Sequence, residues 1–424
     1  MANIIVAAPP ITGEVMPLLH LARQLSDRGH RIAFLTGSRF RGPVRDAGLE
    51  HVALTGRADY DLAELIAARD TAGLPSGAAR RNFNWIELFV EPMPDQYRAL
   101  QRLLEEDPQR CLIANTMFLG AMPAAVGAPG RRPRRWVAVS AVPLILSSDD
   151  TTYFGPVKVG PGADQRAANR AANAAHAADL GPTQQRLNAL LSTLGATARS
   201  ARIGDEIVTL ADATAVLSVP GFEFARSDLP GNVHLVGVVP AQEPDGWRPP
   251  AWWAELDGSR PVVVVTQGTV ANQDLSQLVE PTLRSLSGRE LTVVAALGQD
   301  PSALTIPVPA NARVERFIPF SALLPKADVL ITNGGAGGTH QALAAGVPVI
   351  MAGTSEDKPA NAARVAHHRL GIDLATATPS PEAVGNAVTQ VLADADIREN
   401  VRRLAKVYTE YDAVERIERL TVGR

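Results

Sequence analysis

The sequence predicts an α/β protein built from two doubly wound, Rossmann-like halves, and three observations carry that prediction. Short apolar, β-branched runs recur along the chain, amphipathic helical segments separate them, and one stretch rich in Pro, Gly and Trp divides the series in two. The runs are apolar throughout rather than alternating, which is how strands covered on both faces read. Helices alternating with such strands imply βαβ units and a parallel sheet.

In the first half, strands are expected at 3–7 (NIIVA), 31–35 (RIAFL), 111–114 (CLIA), 136–140 (WVAVS) and 214–218 (TAVLS). Between the first two, MPLLHLARQLSDRG sets Leu18, Leu21, Ala22 and Leu25 at helical spacing and ends in Gly29. Residues 60–110 and the alanine-rich 161–204 carry helix formers without strand signals. Both read as insertions, where variable partners are bound. The stretch GVVPAQEPDGWRPPAWW marks the linker, bounded at 239–255, and separates a first domain, 1–238, from a second, 256–405. The second series runs through PVVVVT at 261–266, LTVVAA at 291–296, DVLIT at 328–332 and VPVIM at 347–351. A final amphipathic pattern bears Ile397, Val401, Leu404, Val407 and Tyr408, and residues 406–424 are expected to form a helix that returns to the first half.

Composition removes several functions. The chain has 424 residues, more than one core comfortably serves, and 41 basic against 44 acidic residues give a net charge of −3. With 46% hydrophobic residues, neither a nucleic-acid partner nor general disorder is favoured. The run Arg131, Arg132, Arg134, Arg135 reads as a solvated loop. A single cysteine, Cys111, sits in an apolar run, so no intrachain disulfide is expected and a reducing cytoplasm fits. The N-terminal MANIIVAAPP lacks a basic region, and no run of about 18 apolar residues exists, so neither export nor a membrane span is expected.

The chemistry is concentrated in TNGGAGGTHQALAAGVPVI, 332–350, where four glycines separate a strand from a helix expected to begin near Thr339. Unpaired N–H groups and the positive dipole end of such a helix suit a phosphate, and glycines let it come close. A tight turn without a ligand is the alternative. Neither GxxxxGK[ST] nor G-x-G-x-x-G is present, which argues against a P-loop NTPase and a dinucleotide oxidoreductase.

The segment RFIPFSALLPKADVLITNGGAGGTHQALAAGVPVIMAGTSEDKPANAARV, 316–365, resembles the donor-binding signature of the GT-B-fold UDP-glycosyltransferase superfamily, particularly bacterial enzymes that glycosylate macrolides and other natural products. The resemblance implies a GT-B fold, two Rossmann-like domains facing a cleft, with the first binding the acceptor and the second the nucleotide sugar. It implies that Phe317, Ile318 and Pro319 line a nucleobase slot. It places Asn333 where the family usually has a histidine on the diphosphate, and an amide can donate there without carrying charge. Gly334, Gly335, Gly337, Gly338 and Thr339 complete the phosphate cradle, Gln341 meets the ribose, and Thr269, in VVVVTQGTVAN, adds a second phosphate turn with Gln267 and Gly268. The family's sugar-binding Asp-Gln pair falls on Asp357-Lys358, with Glu356 and Asn361 nearby. A solvated charged loop is the other reading of SEDK.

The superfamily generally carries a histidine base in a G-H-x-x-P loop and an aspartate that steadies it. Here the loop reads ITGEVMPLL, which puts Glu14 at the base position, and LIANT puts Asn115 at the aspartate position. The two changes fit each other, because an asparagine can bond a carboxylate that an aspartate would repel. A capping role for Glu14 and an inactive site remain as alternatives. His20, His340 and the pair His367-His368 read as packing or surface residues, with His340 also within reach of a phosphate, and Asp394 and Asp396 read as helix caps rather than a metal-binding D-x-D. Phe83, Trp85, Phe89, Tyr153 and Phe154 are candidate acceptor contacts in an aromatic-poor chain, with core packing as the alternative.

The expected activity is an inverting, metal-independent transfer of a hexose to a hydroxyl of a hydrophobic small molecule. No cofactor is implied beyond a nucleotide-sugar co-substrate, UDP-glucose in the first instance, and no metal. The partners implied are the nucleotide sugar and the acceptor, in a monomer or homodimer. A catalytically inactive nucleotide-sugar-binding accessory protein and a nucleotide-sugar epimerase are the competing readings.

Overall fold

The computed structural model describes residues 1–71, 73, 77–240, 246–268 and 272–423. They fall into two compact units, one made of Met1–Leu217, Ala225–Val239 and Asp412–Arg424, the other of Ser218–Phe224 and Pro240–Tyr411. Among the described residues no helix is long and apolar enough to cross a membrane.

The first unit holds β1 (Asn3–Ala7), β2 (Arg31–Thr36), β3 (Glu50–Ala53), β4 (Cys111–Asn115), β5 (Trp136–Ser140), β6 (Ala213–Val216) and β7 (Val233–Leu235). They form one parallel sheet in the order β3-β2-β1-β4-β5-β6-β7. Successive strand residues face opposite sides, so Ile4 and Val6 meet Val15, Leu18, Leu21 and Leu25 of the helix Thr12–Asp27 on one face. Ile5 and Ala7 meet Leu100, Leu103 and Leu104 of the helix Met93–Glu106 on the other. Each such leucine, fully buried, stabilises the fold by about 1.5–3 kcal/mol.

The second unit holds β8 (Val262–Thr266), β9 (Thr292–Ala296), β10 (Ala312–Glu315), β11 (Val329–Thr332), β12 (Val349–Met351) and β13 (Gly371–Asp373), again parallel, in the order β10-β9-β8-β11-β12-β13. The two units therefore repeat one topology. In each, the order of strands reverses once, between β1 and β4 in the first and between β8 and β11 in the second.

The C-terminal expectation needs correction. The chain does not form one returning helix over 406–424; the helix Ala395–Thr409 belongs to the second unit, and a separate helix, Ala413–Val422, belongs to the first. Asp412 breaks them apart by capping the latter, its carboxylate accepting from the N–H of Glu415 at 2.9 Å. Val414 and Ile417 then join the core with Val15 and Ile4.

A short segment, 218–224, is held in the second unit by a buried ion pair. The Glu223 carboxylate accepts from Nε and Nη2 of Arg364 at 2.9 and 2.8 Å, and the guanidinium lies 4.6 Å from the centre of the Phe224 ring. Arg364 is fully buried. Removing one member leaves a charge with no water to solvate it. Glu223→Ala is therefore expected to destabilise the second unit by about 3–5 kcal/mol, measured as a fall in its urea midpoint.

Candidate functional site

In open parallel sheets ligands gather at the carboxyl ends of strands where the order reverses. In the first unit that place is the end of β1 and β4. Asn115 is the last residue of β4, and Glu14 stands in the first turn of the helix that follows β1. Glu14 is thus helical, not on a loop. The register Ala7↔Ala114 brings the two together, and Asn115 Nδ2 donates to Glu14 Oε2 at 2.6 Å. Asn115 Oδ1 accepts from the N–H of Met117 at 2.8 Å, which fixes which end of the amide faces the carboxylate. Both side chains are buried. Tyr60 joins them without any signal in the sequence. Its hydroxyl is buried and has no hydrogen-bond partner among the described residues, and burial, reinforced by the Glu14 carboxylate, holds the phenol far above its usual range. His20, on the same helix, is half-buried and sits on another face; burial and then Arg23 lower its pKa.

Trp85 ends the helix Ala78–Trp85, and Ile86–Val90 winds into a π-helical turn, a feature frequent at functional sites. Trp85 and Phe89 meet edge to face at 5.5 Å and pack on an apolar cluster that includes Met117, two residues beyond Asn115. Phe83 is half-buried on the same helix. Tyr153 and Phe154 lie elsewhere, ring to ring at 5.0 Å, with Phe154 half exposed and neither in that cluster.

In the second unit the reversal point is the end of β8 and β11. Asn333 follows β11 and donates through Nδ2 to the carbonyl of Gln267, which follows β8. The side chain of Gln267 is spent inside the fold, its Oε1 accepting from the N–H groups of Leu278 and Val279. Thr269 lies outside the described residues. Gly334 must be glycine, because its φ is +92° and a Cβ would stand 2.7 Å from Met351 Cε. The helix starts at Ala336, three residues earlier than Thr339, with Gly335 as its cap. Thr339 is consequently an interior helical residue, fully buried, whose hydroxyl donates to the Gly335 carbonyl at 2.9 Å. Gln341 donates to the carbonyl of Gly337 at 3.2 Å.

Gly335 and Gly337 have no steric reason within the fold to be glycine. Neither has a positive φ, and a Cβ at either would meet nothing within 4 Å among the described residues. Gly337 costs its helix about 0.5–1 kcal/mol relative to alanine. The bare backbone instead leaves the helix N-terminus open, beside the FIP segment. A Cβ on Gly338 would lie 3.5 Å from the Phe320 ring. Ile318 is buried and Phe317 is 57% exposed.

The turn after β11 is tied to the loop after β12. Asn361, fully buried, donates to the Gly334 carbonyl at 3.0 Å and to the Asp357 carboxylate at 2.9 Å. Burial pushes Asp357 up, while Lys358 and the bond from Asn361 pull it down. Lys358, only 8% exposed, donates to Ser355 Oγ at 3.2 Å and pairs with the Glu356 carboxylate. His340 is not free to meet a phosphate. Its Nδ1 is 2.6 Å from the Tyr408 hydroxyl, and its ring meets that of Phe222 at 4.5 Å. Burial lowers its pKa to about 4, against an upward pull from Glu223, so the ring is neutral at pH 7.

Comparison with known proteins bears on the family and the fold. Residues 280–412 match the family described as Erythromycin biosynthesis protein CIII-like, C-terminal domain. The chain is 35% identical to 4'-demethylrebeccamycin synthase of Lentzea aerocolonigenes, covering 97% of each. It is 33% identical to UDP-glucosyltransferase B1 of Starmerella bombicola, covering 98% of this chain and 96% of that one. Among solved structures, the calicheamicin glycosyltransferase superposes with a TM-score of 0.74 over 100% of this chain and 99% of that one, at 22% identity, which speaks for the fold.

Two outcomes follow from this geometry. Gly337→Ala is expected to stabilise the unliganded protein by about 0.5–1 kcal/mol in urea unfolding. For His340, the unfolded chain takes up a proton below its ordinary value of 6.5, which the folded chain refuses until about 4. Stability present above 6.5 is therefore lost as pH falls. Between pH 7 and 5 His340→Gln should lose about 2 kcal/mol less than the parent, read from urea midpoints at each pH.

Proposed function

Because the chain belongs to the GT-B-fold UDP-glycosyltransferase superfamily and is a nucleotide-sugar-dependent glycosyltransferase, we propose that it moves glucose from UDP-glucose to a hydroxyl of a hydrophobic natural product, with inversion and without a metal ion. The observation that carries the donor side is the glycine turn after β11. Gly337 weakens its own helix terminus, and neither it nor Gly335 satisfies a steric need of the fold, as suits a site for an anion held on backbone N–H groups. The UDP-glucosyltransferase relatives support the nucleotide and the sugar. 4'-Demethylrebeccamycin synthase supports a natural-product acceptor, and the half-buried aromatics Trp85 and Phe89 are suited to its apolar body.

In the reaction, Glu14 accepts the proton of the acceptor hydroxyl as its oxygen forms a bond to the anomeric carbon. The bond from that carbon to the diphosphate breaks, and its electron pair leaves with UDP. Asn115 holds the carboxylate in place, since its amide can only donate to it. A single displacement on an α-linked donor gives a β-glycoside. Asn333 and the turn from Gly334 to Gly338 steady the leaving diphosphate as its charge grows. Phe317 offers an exposed flat ring to the base.

The test has two arms. Of UDP, dTDP, GDP, ADP and NAD at about 1 mM, UDP is expected to raise the melting temperature most, since ligand at 100 times its dissociation constant adds about 2.7 kcal/mol. Glu14→Gln should keep that response while turnover with UDP-glucose and a phenolic or polyketide acceptor drops about 100-fold or more. A variant with parental turnover would remove Glu14 as the base. Loss of the nucleotide response in the parent would remove the donor site.

A further inference from the structure

A nucleoside diphosphate brings several negative charges, and a helix N-terminus answers with only about half a positive charge. In a site that excludes water, a full cation stabilises that charge further. The helices Ala336–Ala344 and Lys358–His367, which begin at the turns after β11 and β12, carry four basic side chains: His340, Lys358, Arg364 and His367. Three are unavailable. His340 is neutral and engaged with Tyr408. Arg364 is fully buried on Glu223. His367 is the last residue of its helix, roughly 13 Å along the axis from the first at about 1.5 Å per residue.

Lys358 is different. Its stem lies directly across the glycine turn: a Cβ on Gly334 would be 3.5 Å from Lys358 Cβ, and one on Gly353 would be 2.7 Å from Lys358 Cδ. With Asn333, Gln267, Gly353 and Ser355 it lines one cavity at the carboxyl ends of β8, β11 and β12. Its ammonium is held there by Ser355 and by Glu356. Glu356 is itself in the left-handed region, φ 53°, a conformation that costs free energy and persists where the surroundings impose it.

We infer that Lys358 supplies the full positive charge that holds the donor's diphosphate at this turn, rather than a hydrogen bond to the sugar. The inference rests on the donor-site reading above.

The test is calorimetric titration of UDP and of uridine into the parent, Lys358→Gln and Lys358→Met. Met keeps the apolar stem that packs on Gly334 and Gly353, so it guards against a fold defect in the Gln variant. The dissociation constant for UDP should rise about tenfold or more in both, while that for uridine changes by less than about twofold. UDP affinity left unchanged in a folded variant overturns the inference and spares the donor site. Parallel loss of UDP and uridine makes Lys358 a structural residue and also overturns it. A parent that binds neither compound takes down the donor-site reading itself.

Discussion

The constraint on which the rest depends is the single reversal of strand order in each sheet. Right-handed connections send the chain after β1 and the chain after β4 to opposite faces, which opens a gap between their carboxyl ends. Register then decides what meets in that gap. Ala7 lies opposite Ala114, so the residue after Ala114 can reach the first turn of the helix after β1, and Asn115 meets Glu14. In the second sheet Thr332 lies opposite Thr266, and the residues one step beyond, Asn333 and Gln267, are joined. A slip of one residue would turn every strand side chain to the other face and separate both pairs. The apolar packing of the strands is thus what holds the polar contacts in place.

The pair in the first unit also shows how one substitution constrains its neighbour. A buried carboxylate at position 14 excludes a second carboxylate at 115, where the two oxygens would stand within hydrogen-bond distance. It does not exclude an amide, provided the amide is turned the right way. The N–H of Met117 ensures that, since it can bond only to Oδ1 and so commits Nδ2 to Glu14. The same backbone N–H links the polar pair to Met117 and hence to the aromatic cluster with Trp85 and Phe89.

The parts of this architecture that were legible in the sequence are those buried on both faces. NIIVA and WVAVS coincide with β1 and β5 residue for residue, and the interior strands β8, β9 and β11 begin one residue inside their apolar runs. The four strands without a sequence signal, β3, β7, β10 and β13, are the four edges. Each is short and partly exposed, as in EHVA and GID, so no apolar run marks it. At the site, the chemistry-bearing positions stood out by residue type, and Asn115 was legible as the partner of Glu14, but the other contacts were not. Tyr60 comes from a stretch with no pattern, and the union of Glu223, Arg364, His340 and Tyr408 joins positions far apart in the chain. The helix after β11 starts earlier than its sequence suggests for a physical reason: Gly337 and Gly338 have the composition of a turn, yet they are helical.

That early start points to the conflict at the centre of the second unit. A helix whose first turn contains two glycines is weaker than it needs to be, and its weakness is offset by ties from outside it: Asn361 to the Gly334 carbonyl, His340 to Tyr408, and Phe320 against Gly338. These ties use neutral groups, which leaves charge to be supplied from the loop after β12. On the inference drawn above, that charge falls to Lys358, which leaves position 333 to a neutral amide. The neutral Asn333 can then bond the Gln267 carbonyl whatever the pH, keeping the two strand ends together. On that inference, a neutral tie at Asn333 and a cation at Lys358 divide the labour between them.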